Sequence, residues 1–245
     1  MVTSATISRN TSLLVVSAVL QKILSFAYFS YLATQLGVQQ TGLYFFVLSL
    51  TAIFGVFIDF GVNNALIKKF SADPAETQSQ FGVALAGRLT LGLVMAGALV
   101  LFVHIMPYEP LTRLAAYVAA VIMLVDSFTL LFYSVWRSQH RTVYEAWGNI
   151  IFQVVLVIAG GLVLYLNPSV QMALVMLLLA SFVNFVFSWV TLRRRLLLSF
   201  KMKWQASLFR NLYRLAWPFA LAGIASRLYG YADTFLLKSL AGNAA

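Results

Sequence analysis

The sequence predicts an all-α integral membrane protein, a polytopic bundle of about seven transmembrane helices with its N-terminus in the cytoplasm. Of its 245 residues, 61% are hydrophobic and only 10% are charged, and the mean hydropathy is +0.87. A soluble domain carries about 25% charged residues. The apolar residues form long runs without the alternation of strands, and such runs cross lipid as helices that satisfy their own backbone hydrogen bonds.

The individual helices follow from hydrophobic runs of bilayer length, about 20 residues each. Polar or Pro/Gly-containing connections separate them, such as Gln35–Thr41 and Asn167–Pro168. The chain has no cysteine, which excludes disulfides and thiol chemistry. The predicted spans are 11–34, 42–67, 81–106, 111–136, 143–166, 169–192 and 215–240.

Lysine and arginine predict the orientation of these spans, because basic residues accumulate in cytoplasmic loops. The junctions that follow spans 1, 3 and 5 (35–41, 107–113 and 167–168) contain one basic residue, Arg113, whereas Arg9 precedes the first span. The junctions that follow spans 2, 4 and 6 are called even-numbered below. The formal charge of +10 therefore reflects topology and attraction to anionic phospholipid at the cytoplasmic face, and no nucleic-acid partner is expected. The basic residues of even-numbered junctions are Lys68, Lys69, Arg137, Arg141, Arg193, Arg194, Arg195, Lys201, Lys203, Arg210 and Arg214.

The spacing of the spans predicts three segments. Residues 1–192 contain six closely spaced helices and form an N-terminal lobe. Residues 193–214 are too basic to cross the membrane, and their apolar residues recur at helical spacing, so we expect a linker whose later part lies flat in the cytoplasmic interface. Residues 215–245 contain the first helix of a second, incomplete lobe.

Two cations lie near the middle of predicted spans. Lys22 is 11 residues from Thr11 and 12 from Thr34, which places it about 16–18 Å from either end of its helix. Arg227 is at an equivalent depth in the seventh span. A cation at that depth costs about 2.5–3.5 kcal/mol, so we expect a water-filled cavity that receives an anionic group. A structural ion pair with Asp126 or Asp233 is the alternative.

Four further charges lie seven or more residues from either end of their spans. Asp59 and Arg88 lie at similar depth on a helical hairpin, which predicts a structural ion pair; Arg88 could instead reach the headgroups. Asp126 is close to mid-membrane, where it could neutralise Lys22 or line the same cavity. Asp233 follows Arg227 by six residues, so the two face different sides of one helix. We regard Asp126 and Asp233 as candidates for a cavity or a coupling site.

Two stretches carry a family resemblance. Residues 42–71, GLYFFVLSLTAIFGVFIDFGVNNALIKKFS, open with GLY and close with DFGVNNALIKK before the final FS. Residues 212–242 contain an early proline (Pro218), the pair Asp233–Thr234 and then Gly242. These stretches resemble the second helix and the start of the second half of Wzx-type oligosaccharide-lipid flippases, members of the multidrug/oligosaccharidyl-lipid/polysaccharide exporter superfamily. In layout the resemblance covers essentially the whole chain.

The resemblance implies two lobes around a central cavity that opens alternately to either side of the bacterial cytoplasmic membrane. The implied cargo is an undecaprenyl-diphosphate-linked oligosaccharide, with polysaccharide polymerase or assembly proteins as candidate partners. Cavity cations on the first helix of each lobe would meet the diphosphate, and Lys22 and Arg227 occupy those helices. No catalytic residue, cofactor or metal is implied. Family members have twelve to fourteen helices, so we expect this chain to be a fragment that is inactive alone.

Four other functions fit parts of the sequence. A lipid II flippase also handles a diphosphate lipid, whereas a drug/cation antiporter would need more carboxylates at mid-membrane than this chain has. A membrane enzyme would need positioned carboxylates or a histidine base, and the cytoplasmic loops offer only Asp73, Glu76, His140 and Glu145. A non-transporting assembly subunit is the remaining alternative.

Overall fold

The computed structural model describes the backbone of residues 4–72, 77–196 and 200–241, and the side chains of 15–72, 80–196, 200–223 and 225. Every regular element in these ranges is helical, which confirms the predicted all-α class. A π-helical turn, Leu156–Gly160, joins the fifth and sixth helices. The helices are α1 Ser4–Asp59, α2 Val62–Ala72, α3 Thr77–Ile105, α4 Pro110–Ser138, α5 Val143–Val155, α6 Gly161–Leu166, α7 Val170–Leu196 and α8 Ala206–Ala241.

Five stretches of the described chain are long and apolar enough to cross a membrane. The first, Val15–Asp59, has 45 residues, and Gly37 at its centre has non-helical backbone angles that separate two helices. The 22 residues on either side of Gly37 each span about 33 Å, enough for a bilayer core of about 30 Å. The predicted seventh span lies in α8, and its side chains beyond residue 225 are outside the described residues.

Two of the predicted boundaries were wrong. The connection Gln35–Thr41 is not a loop, because Gly37 has non-helical backbone angles but the residues on both sides of it are helical. Span 42–67 is not one helix, because the backbone turns at Phe60 (φ 41°) and Gly61 (φ 74°) and a separate helix, α2, begins at Val62. In both places glycine supplies a positive φ that other residues rarely adopt. The length of a hydrophobic run does not predict such a turn.

The predicted linker also differs in part from the structure. Residues 206–214 belong to the same helix as the seventh span, since α8 runs from Ala206 to Ala241 with Pro218 inside it. The boundary expected at residue 215 therefore does not coincide with a helix end. A proline within a helix removes one backbone hydrogen bond without necessarily ending the helix.

The residues that follow α7 lie against three glycines of the preceding helices. The Lys203 amide donates to the Gly82 carbonyl at 3.1 Å. A Cβ placed on Gly87 would lie 3.0 Å from ring atoms of Phe209 and from the Tyr213 hydroxyl, and one on Gly61 would lie 2.6 Å from the Ala220 nitrogen. The start of α8 thus packs directly onto the helix break at Phe60–Gly61.

Two groups of buried side chains hold the bundle together. The larger one lies between α1, α3, α4 and α7 and includes Leu32, Val47, Leu99, Ala119 and Leu174. The second joins α2, α3 and α4 to the ends of α7 and α8. Its largest fully buried side chains are Trp136, Tyr133, Phe81 and Phe132.

We expect Gly37→Ala to lower the free energy of unfolding by about 1–3 kcal/mol, because its φ of 71° and ψ of 177° lie where only glycine is unstrained. No atom lies within 4 Å of a Cβ placed there, so crowding adds nothing. Gly42→Ala is the matched control in the same helix, since its Cβ would also meet open space, and it should be neutral or stabilising. Thermal unfolding in detergent measures both, and equal melting temperatures would contradict the strain.

Candidate functional site

Predicted site residues line two neighbouring cavities between the helices of the described part of the chain. One, of about 560 Å³, is lined by the first half of α1, the start of its second half, and α5; we call it the Lys22 cavity. The other, of about 400 Å³, lies between α1, α2, α3, α4 and α8; we call it the Asp126 cavity. Both volumes are in the range of small-molecule sites. Leu48 and Leu177 line both cavities, so the two are neighbours.

Lys22 is the one charged residue lining its cavity among those that the structure describes. Its side chain is exposed, and no described carboxylate lies within 4.0 Å of its ammonium group. The expected neutralisation by Asp126 is not seen, because Asp126 lines the other cavity. An unpaired cation within an apolar helix is available to an anionic ligand.

Two residues that the sequence did not single out, Tyr28 and Gln153, also line the Lys22 cavity. They are 6% and 2% exposed. The Tyr28 hydroxyl and the Gln153 side-chain nitrogen have no hydrogen-bond partner among the described atoms. Gln153 could have been noticed in the sequence, since it interrupts the apolar run of α5, but a tyrosine in an aromatic-rich helix gives no such signal.

The π-helical turn Leu156–Gly160 fixes one side of this cavity. Leu156 lines it, and Gly160 lies so close to the Tyr28 ring that a Cβ there would be 2.7 Å from the hydroxyl oxygen. Single π-helical turns inside α-helices occur frequently at functional sites. Opposite, the rings of Phe29 and Phe45 meet edge to face with centroids 5.3 Å apart.

The structure brings Asp59 and Arg88 together in the Asp126 cavity. Arg88 Nη2 donates to Asp59 Oδ1 at 3.1 Å and to Asn63 Oδ1 at 2.7 Å. The backbone N–H of Asn63 donates to the same Asp59 oxygen at 3.3 Å. The Arg88 side chain is 2% exposed and that of Asp59 32%. Burial keeps Arg88 from reaching the headgroups, which was the alternative to pairing.

Asp126 shares this second cavity with Asp59 and Arg88. The three charges sum to −1, whereas the Lys22 cavity carries +1 from its described lining residues. The two cavities are therefore opposite in sign. Arg227 and Asp233 belong to α8, but the structure does not describe their side chains.

A second ion pair lies near the predicted cytoplasmic end of α4. Arg137 Nε donates to Glu145 Oε2 at 2.7 Å, and Arg137 Nη2 contacts the other carboxylate oxygen. This two-point contact is the strongest arrangement of arginine with a carboxylate. Glu145, one of the few loop carboxylates that an enzyme could use, is thus already bound to an arginine.

Comparison with known proteins gives the family. The family model described as polysaccharide biosynthesis protein matches residues 7–245. The chain belongs to the polysaccharide biosynthesis protein family. This confirms the resemblance seen in the sequence at the level of the family. No curated protein sequence matches the chain.

Two solved structures share the fold of this polysaccharide biosynthesis family member. One is a transporter of the MOP superfamily from Pyrococcus furiosus, described by a reverse polarity of its binding pocket; its TM-score is 0.70 at 14% sequence identity. The other is an outward-facing multidrug-resistance transporter of the MATE family in the same superfamily, with a TM-score of 0.68 at 15% identity. Each comparison covers 95% of this chain and 55% of the other, so the chain spans about half the length of these transporters.

Proposed function

We propose that this protein moves an undecaprenyl-diphosphate-linked oligosaccharide across the bacterial cytoplasmic membrane by alternating access. Its family is that of polysaccharide biosynthesis proteins, and its fold is shared with MOP superfamily transporters. Sugars assembled on a lipid carrier inside the cell have to cross the membrane before they join a surface polysaccharide. A membrane bundle with an internal cationic cavity provides a route for the charged headgroup.

The observation that carries this proposal is the unpaired Lys22 in its cavity. Its ammonium group has no described carboxylate partner, and it lies 11 residues from Thr11 along α1, about 16 Å from that polar position. A lysine is a point charge that suits a phosphate oxygen. We propose that Lys22 holds the diphosphate halfway across, with Arg227 at equal depth as the second contact.

The other predicted residues take different roles in this proposal. Asp59 and Arg88 form a structural ion pair, because Arg88 Nη2 donates to Asp59 and also to Asn63. Asp126 and Asp233 are the candidate coupling residues, and Asp126 would act from the neighbouring cavity. The exposed arginines 193–195 at the end of α7 are placed to contact anionic phospholipid at the cytoplasmic face. A polysaccharide polymerase is a proposed further partner.

The test is flipping of fluorescently labelled undecaprenyl-diphosphate oligosaccharide in liposomes that contain the complete protein, because this chain is expected to be inactive alone. We expect Lys22→Gln to slow flipping about ten- to a hundredfold, since a hydrogen bond to a charged group is lost, while Lys22→Arg keeps part of the activity. Lys68→Gln, an exposed lysine of α2, is the matched control. Because Lys22 has no described partner, the melting temperature of Lys22→Gln should equal that of the wild type.

Three results would decide against the proposal. Unchanged flipping by Lys22→Gln would remove the role of the cation. Transport of a cationic dye in place of the glycolipid would favour a drug/cation antiporter, and preference for lipid II would identify a different diphosphate lipid as cargo.

A further inference from the structure

The Lys22 cavity contains two hydrogen-bonding groups that the described part of the protein leaves without a partner. The Tyr28 hydroxyl on α1 and the Gln153 amide nitrogen on α5 are buried and have no partner among the described atoms. Roughly nine-tenths or more of buried polar groups in proteins are hydrogen-bonded. Two unsatisfied groups that line one cavity therefore indicate a ligand that completes them.

Both groups are held in place by the fold. A Cβ placed on Gly160 of the π-helical turn would lie 2.8 Å from a ring carbon of Tyr28. The phenol ring therefore has little room to turn toward α6. Gln153 lies three residues before that turn on a helix that packs against α1. A ligand thus meets donors whose positions are fixed in advance, which lowers the entropic cost of binding.

We infer that Tyr28 and Gln153 bind the sugar residue attached to the diphosphate, and so make the cavity selective for that sugar. This rests on the proposed function, in which Lys22 takes the phosphate. Neither the phenol nor the carboxamide carries a charge, whereas Lys22 supplies the cation that a phosphate needs. The two neutral groups therefore match the neutral, hydroxyl-bearing part of the cargo, and Lys22 matches the charged part.

The rest of the lining supports a sugar. Besides Lys22, the cavity contains aromatic rings, among them Tyr44, Phe29 and Phe45, which offer apolar faces to the C–H face of a sugar ring. Its volume of about 560 Å³ is in the range that holds a small organic ligand. A site with buried hydrogen-bonding groups discriminates strongly, because an analogue that lacks the matching hydroxyl leaves those groups unpaired.

Binding of two lipids by the detergent-solubilised protein tests this inference. One is undecaprenyl diphosphate without sugar; the other is the lipid-linked oligosaccharide extracted from cells that express the protein. We expect Tyr28→Phe and Gln153→Leu each to weaken binding of the glycolipid about tenfold or more, with affinity for the sugar-free lipid unchanged. Lys22→Gln should weaken binding of both lipids.

Controls separate binding from folding. Tyr165→Phe removes a hydroxyl from a side chain that is 74% exposed on α6 and does not line the cavity, and it should bind both lipids normally. Tyr28→Phe removes an unsatisfied buried group, so its melting temperature without ligand should be equal to or above that of the wild type. A lower melting temperature would show that the hydroxyl has a structural partner and would overturn the inference.

The remaining outcomes are distinct. If Tyr28→Phe and Gln153→Leu weaken binding of both lipids equally, the two residues hold the diphosphate and the sugar assignment is wrong. Unchanged binding of both lipids would also overturn it. If the wild-type protein binds neither lipid, the proposed function itself fails, and this inference fails with it.

Discussion

Asp59→Ala should lower the free energy of unfolding by about 3–5 kcal/mol, because it leaves a buried guanidinium without its carboxylate. Arg88 is 2% exposed, and its Nε already lacks a hydrogen-bond partner, so the remaining bond to Asn63 cannot replace the lost charge. Thermal or denaturant unfolding in detergent micelles measures the loss.

The reverse substitution should be milder. Arg88→Met leaves Asp59 one-third exposed and still bonded to the Asn63 amide, so water can solvate the carboxylate. Removing both charges in Asp59→Ala/Arg88→Met should recover most of the stability, since a buried pair replaced by apolar residues is often neutral. Arg194→Met, an exposed arginine of α7, is the control. If Arg88→Met proved the more damaging single change, the pair would not be held as the structure describes.

Gly148→Ala should lower the free energy of unfolding by about 2–4 kcal/mol, because it crowds a buried hydrogen bond. The Tyr133 hydroxyl donates to Asn184 Oδ1 at 2.5 Å, joining α4 to α7. A Cβ on Gly148 of α5 would overlap the Tyr133 hydroxyl and lie 2.7 Å from Asn184 Oδ1. One methyl group therefore displaces a contact that fixes three helices. Urea or thermal unfolding in detergent gives the change.

A double-mutant cycle tests the cause. Tyr133→Phe alone should cost about 1–3 kcal/mol, because Asn184 loses its donor. In the presence of Gly148→Ala the same change removes the overlapping oxygen, so the double variant should lose less than the sum of the single ones. Gly97→Ala is the control, since a Cβ there meets no atom within 4 Å. Additive losses would mean that Gly148 does not crowd this hydrogen bond.

Helix position in this protein can be predicted from sequence because the lipid core imposes a minimum length on every apolar run. Depth along a helix is equally readable, which is why Asp59 and Arg88 could be matched across a hairpin. The depth of a residue does not show which side of the helix its side chain occupies. Asp126 was a candidate either to neutralise Lys22 or to line its cavity, but the two residues line different cavities.

Tertiary neighbours decide the features that the sequence did not predict. Tyr28 and Gln153 are notable only because no atom in the described part of the bundle pairs with the Tyr28 hydroxyl or the Gln153 side-chain nitrogen. The break at Phe60–Gly61 depends on two positive φ angles in a run that is otherwise apolar. Local propensity is a weak guide wherever tertiary contacts fix the backbone.

The contacts of Gly61, Gly82 and Gly87 attach the residues after α7 to the helices before it. The Asp126 cavity is closed on one side by Phe219, Ala220 and Gly223 of α8. A chain cut after Leu196 would keep α1 to α7 but lose the α8 residues that close this side of the cavity. Asp59 and Arg88 would then be more exposed. The helices up to Leu196 therefore need the start of α8 to enclose this cavity.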